Sequence, residues 1–400
     1  MGRAGCACVV AALASGCLQA PPVASGDAGS DSSDGNDGDI LLFPPAEASV
    51  RIEAALAADV DGDEREDLVL VDSDVDDGWA GLYILRAGPD GWTGIDEVEL
   101  GFRPHAARFA HLLRASGPAL AIGGNGGKVA LVDYKGDAGY EVVPLDFDVP
   151  AEGDAIEFIH SGLFDAADPR ASLLLYDGIA LYQSTPVDED SPMQLAELQS
   201  GSHLDAVFWP LDSTDPTKYI VARRADDLAW YAESGSDGDT ADAATAARFG
   251  HVETGLCGTH LVVRVDQSLA IGSVECDGTA SSTMPLVGDD LDEIVAMASG
   301  DLAGTTRSDV ALIGFAGGSL VGEILIDVRS STDEYTADAV TEQIAVDGVT
   351  PPDIFLTPVD AEGDGSALVV AVTPDGDIDC AWAKEATVEP CPGRWQVRSH

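Results

Sequence analysis

The sequence contains few basic residues. Only 20 of its 400 residues are lysine or arginine, against 71 aspartate and glutamate, so the formal net charge at pH 7 is -51. Lysine occurs only at positions 128, 135, 218 and 384. A chain this acidic repels the phosphate backbone of nucleic acids and the anionic headgroups of membranes. The composition therefore argues against nucleic-acid binding and against electrostatic docking on a membrane surface.

Long hydrophobic runs and long amphipathic helical patterns are also missing. No segment approaches the roughly 18 to 20 apolar residues that span a bilayer. Hydrophobic residues still make up 45% of the chain, which is enough for a buried core and excludes global disorder. The sequence has no nucleophile elbow, no H-E-x-x-H and no C-x-x-C pair with zinc spacing. It therefore offers no recognisable catalytic motif.

The first residues have the pattern of an export signal. Arg3 precedes a short apolar run, and the sequence Ala14-Ser15-Gly16-Cys17 resembles a bacterial lipobox. The resemblance implies a lipoprotein signal peptide at 1–16, lipidation of Cys17, and an acidic flexible linker at 17–39. It also implies a cell-envelope protein, an outer-membrane lipoprotein that faces the periplasm or the cell exterior. The alternative is an ordinary secretion signal that is cut at a small residue.

Four cysteines lie beyond the export signal, and they predict two disulfides in an exported protein. Cys257 and Cys276 flank two apolar runs that are separated by a polar turn at 266–268. Cys380 and Cys391 are likewise centred on the polar segment 384–387. The two cysteines of each pair would face each other across a hairpin, so we expect the disulfides Cys257–Cys276 and Cys380–Cys391. The alternative is four unrelated buried thiols.

Short apolar runs between glycine- and aspartate-rich turns recur along residues 40–400, about 50 residues apart on average. The clearest begin at Leu68, Leu120, Leu173, Ile220, Leu261, Val310 and Leu368, and each is followed by a second run. This period fits one propeller blade of three or four strands, whereas tandem immunoglobulin-like domains would need about 100 residues. We therefore predict an all-β, seven-bladed β-propeller, with six or eight blades as alternatives. Residues 40–43 are expected to pair beside 395–397 in the last blade and so seal the ring.

Residues 59–70, DVDGDEREDLVL, carry the clearest chemical motif. They resemble the FG-GAP/VCBS repeat, a calcium-loop propeller repeat also found in integrin α chains. The resemblance implies that the side chains of Asp59, Asp61, Asp63 and Asp67, with the carbonyl of Arg65, bind Ca²⁺ through hard oxygen ligands. The family usually has glycine where this chain has Glu64, and if that position needs a positive φ the side chain costs about 1 kcal/mol. The alternative is a solvated aspartate-rich turn without an ion.

Two later loops keep only part of the same pattern. Asp360, Glu362 and Asp364 form a second metal candidate, although the following strand begins one residue sooner. The loop at 301–309 keeps its first and ninth aspartates but has Ala303 and Thr305 in between. We therefore expect one or two calcium sites rather than one in each blade.

Four histidines, at His105, His160, His203 and His251, come shortly before the clear runs of successive blades. If they all lie at one mouth of the central channel, they could bind a transition metal or a polar ligand. Unconnected surface histidines are the alternative.

The sequence favours a monomeric, lipid-anchored, calcium-binding propeller that acts as a non-catalytic binding or adhesion module. Its partner would be an unknown protein or glycan, and the membrane would be contacted only through the lipid anchor. One alternative is an envelope enzyme that acts on polysaccharide at the channel mouth. Another is a structural subunit of a surface assembly.

Overall fold

The computed structural model describes most of the chain after residue 40. The described residues are 41–45, 49–73, 79–110, 119–145, 154–162, 172–185, 194–200, 205–209, 219–223, 228–232, 237–241, 250–253, 259–265, 268–272, 284–287, 291–300, 302, 309–316, 319–330, 335–342, 354–364, 366–384, 387–390 and 393–398. Contacts place Asp37–His400 in one compact unit. The predicted signal peptide, Cys17 and the whole predicted linker lie outside the described residues.

The described secondary structure is almost entirely β. Strands β2 to β29 fall into seven successive antiparallel meanders of four strands, which we call blades 1 to 7. Blade 1 comprises β2 (Ile52–Ala58), β3 (Asp67–Asp72), β4 (Gly81–Gly88) and β5 (Gly91–Glu99). Blade 2 comprises β6 (Pro104–Ala110), β7 (Ala119–Gly124), β8 (Val129–Tyr134) and β9 (Tyr140–Pro144). Blade 3 comprises β10 (Phe158–Gly162), β11 (Ser172–Tyr176), β12 (Ala180–Thr185) and β13 (Gln194–Ser200). Blade 4 comprises β14 (Asp205–Trp209), β15 (Tyr219–Arg223), β16 (Leu228–Ala232) and β17 (Asp237–Ala241). Blade 5 comprises β18 (Gly250–Glu253), β19 (Thr259–Val265), β20 (Ser268–Gly272) and β21 (Met284–Val287). Blade 6 comprises β22 (Glu293–Gly300), β23 (Asp309–Ala316), β24 (Ser319–Ser330) and β25 (Tyr335–Glu342). Blade 7 comprises β26 (Phe355–Val359), β27 (Leu368–Val372), β28 (Ile378–Lys384) and β29 (Thr387–Pro390).

The blades are arranged as in a β-propeller, which confirms the predicted fold class. The first strand of blade 1 contacts the first strands of blades 2 and 7, and blade 6 contacts blades 5 and 7 in the same way. Blades 5 and 6 are also joined into one eight-stranded sheet, because β21 pairs with β25 in parallel. The seven described meanders agree with the recurrence in the sequence, and the blade number itself stays a prediction.

Burial explains why the second strands of blades 1, 2 and 7 gave clear apolar runs in the sequence. Every residue of β3, β7 and β27 is buried, because a central strand of a blade has a neighbouring blade over each of its faces. One cluster packs Val69 and Ile84 of blade 1 against Leu120 and Val132 of blade 2. A second cluster joins blade 1 to blade 7 through residues such as Leu68 and Val370. The core is therefore a series of layers between blades.

The ends of the chain pair with each other, but not in the last blade as predicted. The short strand β1 (Leu41–Leu42) lies parallel to β30 (Val397–Arg398) in a separate two-stranded sheet. Phe43 and Trp395 are both fully buried and belong to the cluster between blades 1 and 7. Trp395 is the last residue of the 3₁₀ helix Gly393–Trp395. Trp92 donates a hydrogen bond from Nε1 to the carbonyl of Trp395 at 2.7 Å, and the two indoles meet edge to face. The closing segment is therefore held by packing more than by its two-residue ladder.

The hairpins expected to carry the disulfides are present. Strands β19 and β20 are antiparallel with Val265 opposite Ser268, the register that would place residues 257 and 276 opposite each other. Both of these cysteines lie outside the described residues. Cys380 is disulfide-bonded, and the pairing of Ala381 with Pro390 in β28 and β29 fits a bond to Cys391. Cys391 itself lies outside the described residues, so both pairings stay predictions.

Replacing Gly91 with alanine should destabilise the protein through the closing segment. Gly91 has a φ of 119°, and an added Cβ would lie 2.2 Å from the carbonyl oxygen of Arg394. We expect Gly91→Ala to lower the free energy of unfolding by more than about 2 kcal/mol, since both strain and a backbone clash must be relieved. Chemical denaturation measures this loss.

Gly101→Ala is the matched control. Gly101 also has a positive φ, 70°, but an added Cβ there would meet nothing within 4 Å, so only the backbone strain of about 1 kcal/mol is expected. Equal losses in the two variants would contradict the close approach of the closing segment to blade 1.

Candidate metal site in the first blade

The aspartate-rich loop connects β2 to β3 and is ordered by its own backbone. Asp59 follows the last residue of β2, and its Oδ1 accepts hydrogen bonds from the N–H groups of Gly62 and Asp63 at 2.8 and 3.0 Å. Its Oδ2 accepts a third from the N–H of Glu64 at 3.1 Å. Short aspartate side chains readily cap a tight turn in this way. The loop is therefore folded around the carboxylate of Asp59.

Three of the four predicted side-chain ligands come together. One carboxylate oxygen from each of Asp59, Asp61 and Asp63 can be chosen so that all three lie within 4.8 Å of one another. Oxygens that bind one calcium ion at roughly 2.3–2.6 Å lie at most about 5 Å apart. This part of the predicted ligand set therefore fits the geometry of a calcium ion.

Asp67 lies deeper than the other three aspartates. It is 1% exposed, and its Oδ1 and Oδ2 accept hydrogen bonds from the N–H groups of Ala87 and Val60 at 2.9 and 3.3 Å. The hydrogen bond from Val60 to Asp67 has a counterpart in blade 6, where Leu302 donates its backbone N–H to Oδ2 of buried Asp309 at 2.9 Å. The carboxylate at this position therefore fixes the loop to its blade, whether or not it also binds an ion.

Arg65 contributes more than the backbone carbonyl that the sequence motif implied. Its N–H donates to Oδ1 of Asp63 at 2.9 Å, and its guanidinium lies 3.1 Å from Oδ2 of the same carboxylate. A cation that binds Asp63 would therefore share this carboxylate with a fixed positive charge. The side chain of Arg65 is a competitor that the motif alone does not reveal.

The electrostatic environment of the loop disfavours its own negative charges. Burial, and next the charge of Asp63, raise the pKa of Asp61 above its ordinary value. Burial also raises the pKa of Asp67 to about 7. The hydrogen bonds from Ala87 and Val60 act to lower this pKa, whereas the negative charge of Asp61 raises it further. Like charges held close together favour either a bound proton or a bound cation. The loop can thus gain from neutralisation by a metal ion.

Glu64 adopts the backbone conformation that its place in the motif implied. Its φ is 71°, and it is the one residue other than glycine with a positive φ among those that the structure describes. A side chain in this left-handed region costs roughly 1–2 kcal/mol. The loop therefore keeps a strained residue where the resembling family usually has glycine.

The second metal candidate has the same turn but does not gather its carboxylates. Asp360 accepts hydrogen bonds from the N–H groups of Gly363 and Asp364 at 2.8 and 3.2 Å, which repeats the arrangement around Asp59. However, Glu362 forms an ion pair with Arg394. In the strand register Leu368, opposite Val359, also takes the place that Asp67 has opposite Ala58. Within the described residues this loop offers no group of three converging ligands, so it is the weaker candidate.

The two loops are joined to each other, which sequence reasoning missed. Glu66 donates its backbone N–H to the carbonyl of Asp360 at 2.9 Å, and its Oε2 accepts the N–H of Asp360 at 2.7 Å. Gly363 approaches so closely that an added Cβ would lie 2.4 Å from the carbonyl oxygen of Glu64. Burial, then the charge of Asp360, raise the pKa of Glu66 against the hydrogen bond that it accepts. The candidate site therefore lies where the first and last blades meet.

The described histidines lie inside the first strands of their blades rather than in the connections before them. His105 and His251 are each the second residue of their strand, whereas His160 lies in the middle of β10. Burial lowers the pKa of half-buried His105. His203 lies outside the described residues. The histidines therefore do not share one position along the strands, and the channel-mouth site stays a hypothesis.

Comparison with known proteins supports the fold. No family model matches the chain, and no curated protein matches it significantly. A solved structure described as BBS1N in complex with ARL6DN, soaked with mercury, matches 88% of this chain and 98% of its own chain, with a TM-score of 0.52 and 16% sequence identity. At this identity the likeness shows a propeller-like all-β fold alone. Separately, none of the helices in the described part of the chain is sufficiently long and apolar for a membrane span.

Replacing Glu64 with glycine should stabilise the protein. Glycine adopts a positive φ without the steric cost, and the N–H that binds Asp59 is kept, although glycine also loses more backbone entropy on folding. We expect Glu64→Gly to raise the free energy of unfolding by about 0.5–1 kcal/mol. Glu64→Gln, which keeps the Cβ but removes the charge, is the control. A larger gain from glutamine than from glycine would mean that charge, not backbone strain, limits this loop.

Proposed function

We propose that the blade 1 loop binds Ca²⁺ and that the chain is a propeller of the FG-GAP/VCBS type. The observation that carries the proposal is that one carboxylate oxygen from each of Asp59, Asp61 and Asp63 lies within 4.8 Å of the other two. Extracellular calcium modules of this kind bind with dissociation constants of about 10⁻⁴–10⁻³ M. In this proposal Asp67 and the carbonyl of Arg65 complete the ligand set, and the ion neutralises carboxylates that repel one another.

We further propose that this propeller is a non-catalytic binding module of the cell envelope, held to a membrane by acylated Cys17. The support is the order of features along the chain: a lipobox-like sequence, a linker with few apolar residues, and then one compact unit from Asp37 onwards. A linker of about 20 such residues has a root-mean-square reach of roughly 25 Å. Such a tether would let the propeller meet a protein or glycan partner away from the bilayer.

Calorimetric titration with calcium should give one binding event with a dissociation constant of about 10⁻⁴–10⁻³ M. Asp59→Asn/Asp61→Asn/Asp63→Asn should abolish the signal, because neutral amide oxygens remove the charge that holds the ion. At about 10 mM calcium, the same binding should stabilise the wild type by roughly 1.4–2.7 kcal/mol.

Magnesium at equal ionic strength is the first control, since screening of a net charge of -51 by any divalent ion would stabilise this chain. A variant with equal charge change at exposed sites, Asp90→Asn/Asp375→Asn/Asp377→Asn, is the second control. If magnesium or the control variant reproduces the behaviour of calcium and of the loop variant, the specific site is ruled out.

Replacing Cys17 with serine should release the protein from the membrane fraction. A serine hydroxyl cannot take the place of the thiol that is acylated, so the variant should lose its lipid-dependent mass and its partition into detergent. Mass spectrometry and fractionation of the exporting cell measure both effects. Replacing Cys8 with serine is the matched control. Equal membrane retention of the Cys17→Ser variant would contradict the anchor but leave the calcium site untouched.

A further inference from the structure

The peptide group between Arg65 and Glu66 connects the candidate calcium loop to blade 7. Its N–H, which belongs to Glu66, donates to the carbonyl of Asp360 at 2.9 Å. Its C=O is the Arg65 carbonyl that the motif assigns to the ion. The peptide is trans, and in a planar trans peptide the N–H and the C=O point in opposite directions. The hydrogen bond to blade 7 therefore holds a predicted calcium ligand of blade 1 in a fixed orientation, turned away from blade 7.

The side chain of Glu66 makes a second hydrogen bond across the same junction. Its Oε2 accepts the backbone N–H of Asp360 at 2.7 Å, so both the backbone and the side chain of Glu66 are bound to blade 7. Beside this pair, Gly363 lies so close to Glu64 that a Cβ at Gly363 would be 2.4 Å from the carbonyl oxygen of Glu64. The two loops are therefore in backbone contact, and a shift of the blade 7 loop must move the part of the calcium loop that carries the predicted ligands.

The blade 7 loop is joined in turn to the closing segment at residues 393–398. Glu362 of this loop forms an ion pair with Arg394, and the backbone of Arg394 packs against Gly91 of blade 1. Trp395, the next residue, is buried between blades 1 and 7. The calcium loop, the blade 7 loop and the closing segment thus form one continuous set of contacts at a single junction.

We propose that calcium binding in the blade 1 loop is coupled to closure of the ring between blades 1 and 7. The two states are the closed junction of this structure and one in which the two loops have parted. An ion that holds the Arg65 carbonyl also preserves the hydrogen bonds of Glu66, so it favours the closed state. By linkage the closed state binds calcium more tightly, because the carbonyl is already oriented. The inference rests on the proposed calcium binding, and it makes the calcium concentration a control on ring closure.

Hydrogen exchange followed by mass spectrometry tests the effect of the ion on the junction. The wild type is compared in about 10 mM calcium and in a chelator. If opening of the junction releases an ion with a dissociation constant of about 10⁻⁴–10⁻³ M, calcium slows exchange there by roughly 10- to 100-fold. We expect this slowing in peptides that contain 360–364 and 393–398, and a change of less than twofold in the outer strand β9 of blade 2. Magnesium at equal ionic strength is the control for charge screening.

Gly363→Ala tests the reverse effect, of the junction on the ion, because it parts the two loops without removing a charge or a predicted ligand. Gly101→Ala is the matched control, since its φ of 70° is close to the 68° of Gly363 but a Cβ there would meet nothing within 4 Å. In calorimetric titrations with calcium we expect Gly363→Ala to raise the dissociation constant at least fivefold and Gly101→Ala to change it less than twofold. A cooperative unfolding transition in chelator shows that each variant is folded.

Two substitutions of Glu66 separate its hydrogen bond from its charge. Glu66→Gln and Glu66→Ala lose the same negative charge, but the amide oxygen of glutamine can still accept the N–H of Asp360. We expect Glu66→Ala to bind calcium at least threefold more weakly than Glu66→Gln. The alanine variant should also lose the slowing of exchange at 393–398 under calcium that saturates its site.

Calcium binding by the wild type without slower exchange at the junction would overturn the coupling and leave the calcium site standing. Equal affinities of Gly363→Ala and Gly101→Ala, or of the two Glu66 variants, would do the same. Equal slowing by magnesium would also overturn the coupling, because any divalent ion would then act by screening. The absence of a calorimetric signal from the wild type would instead reject the proposed calcium site, and the coupling with it.

Discussion

Blade 1 is a sheet with two apolar faces, and both must be covered by other blades. This constraint determines the rest of the structure. Strand β3, DLVLVD, is buried along its whole length, which is favourable only because blade 2 covers one face and blade 7 the other. Burial of this kind contributes roughly 25 cal/mol per Å² of apolar surface. Blade 1 therefore depends on a neighbour that lies some 300 residues away in sequence.

The junction between the first and last blades must be held by contacts that span nearly the whole chain. On one side the closing segment packs Trp395 against Trp92. On the other, Glu66 exchanges two hydrogen bonds with the backbone of Asp360, in the loop next to the candidate metal site. The pair of indoles and the pair of loops act on the same junction through different chemistry, one apolar and one polar. An ion in the blade 1 loop would thus add order beside a junction whose two sides lie some 300 residues apart in the sequence.

The sequence revealed the parts of the fold that are buried on two faces. The runs beginning at Leu68, Leu173 and Leu368 proved to be the second strands of their blades, where continuous apolar residues are required. The outer strands β5 and β9 mix exposed acids with apolar residues, because they lie at the free edge of a blade, and so gave no clear signal. Their positions follow from the antiparallel meander and not from local pattern.

The candidate site divides in the same way. Local spacing was enough to bring Asp59, Asp61 and Asp63 together, because a tight turn joins them within five residues. It could not show that Asp67 would be buried under backbone donors from a neighbouring strand, or that Glu66 would reach blade 7. Those contacts depend on tertiary packing.

The scarcity of basic residues determines how the acidic side chains of this chain are balanced. The described ion pairs use their cations on nearby carboxylates: Arg51 and Arg103 with Glu53, Arg65 with Asp63, Arg86 with Asp96, Lys135 with Asp133 and Glu141, and Arg394 with Glu362. With 20 basic residues against 71 acidic ones, the chain cannot pair most of its carboxylates internally. The remaining negative charges must be balanced by cations from outside, as mobile counterions where they are scattered. Where the fold holds them in a fixed geometry, as in the blade 1 loop, the proposed calcium ion would take the place of such counterions.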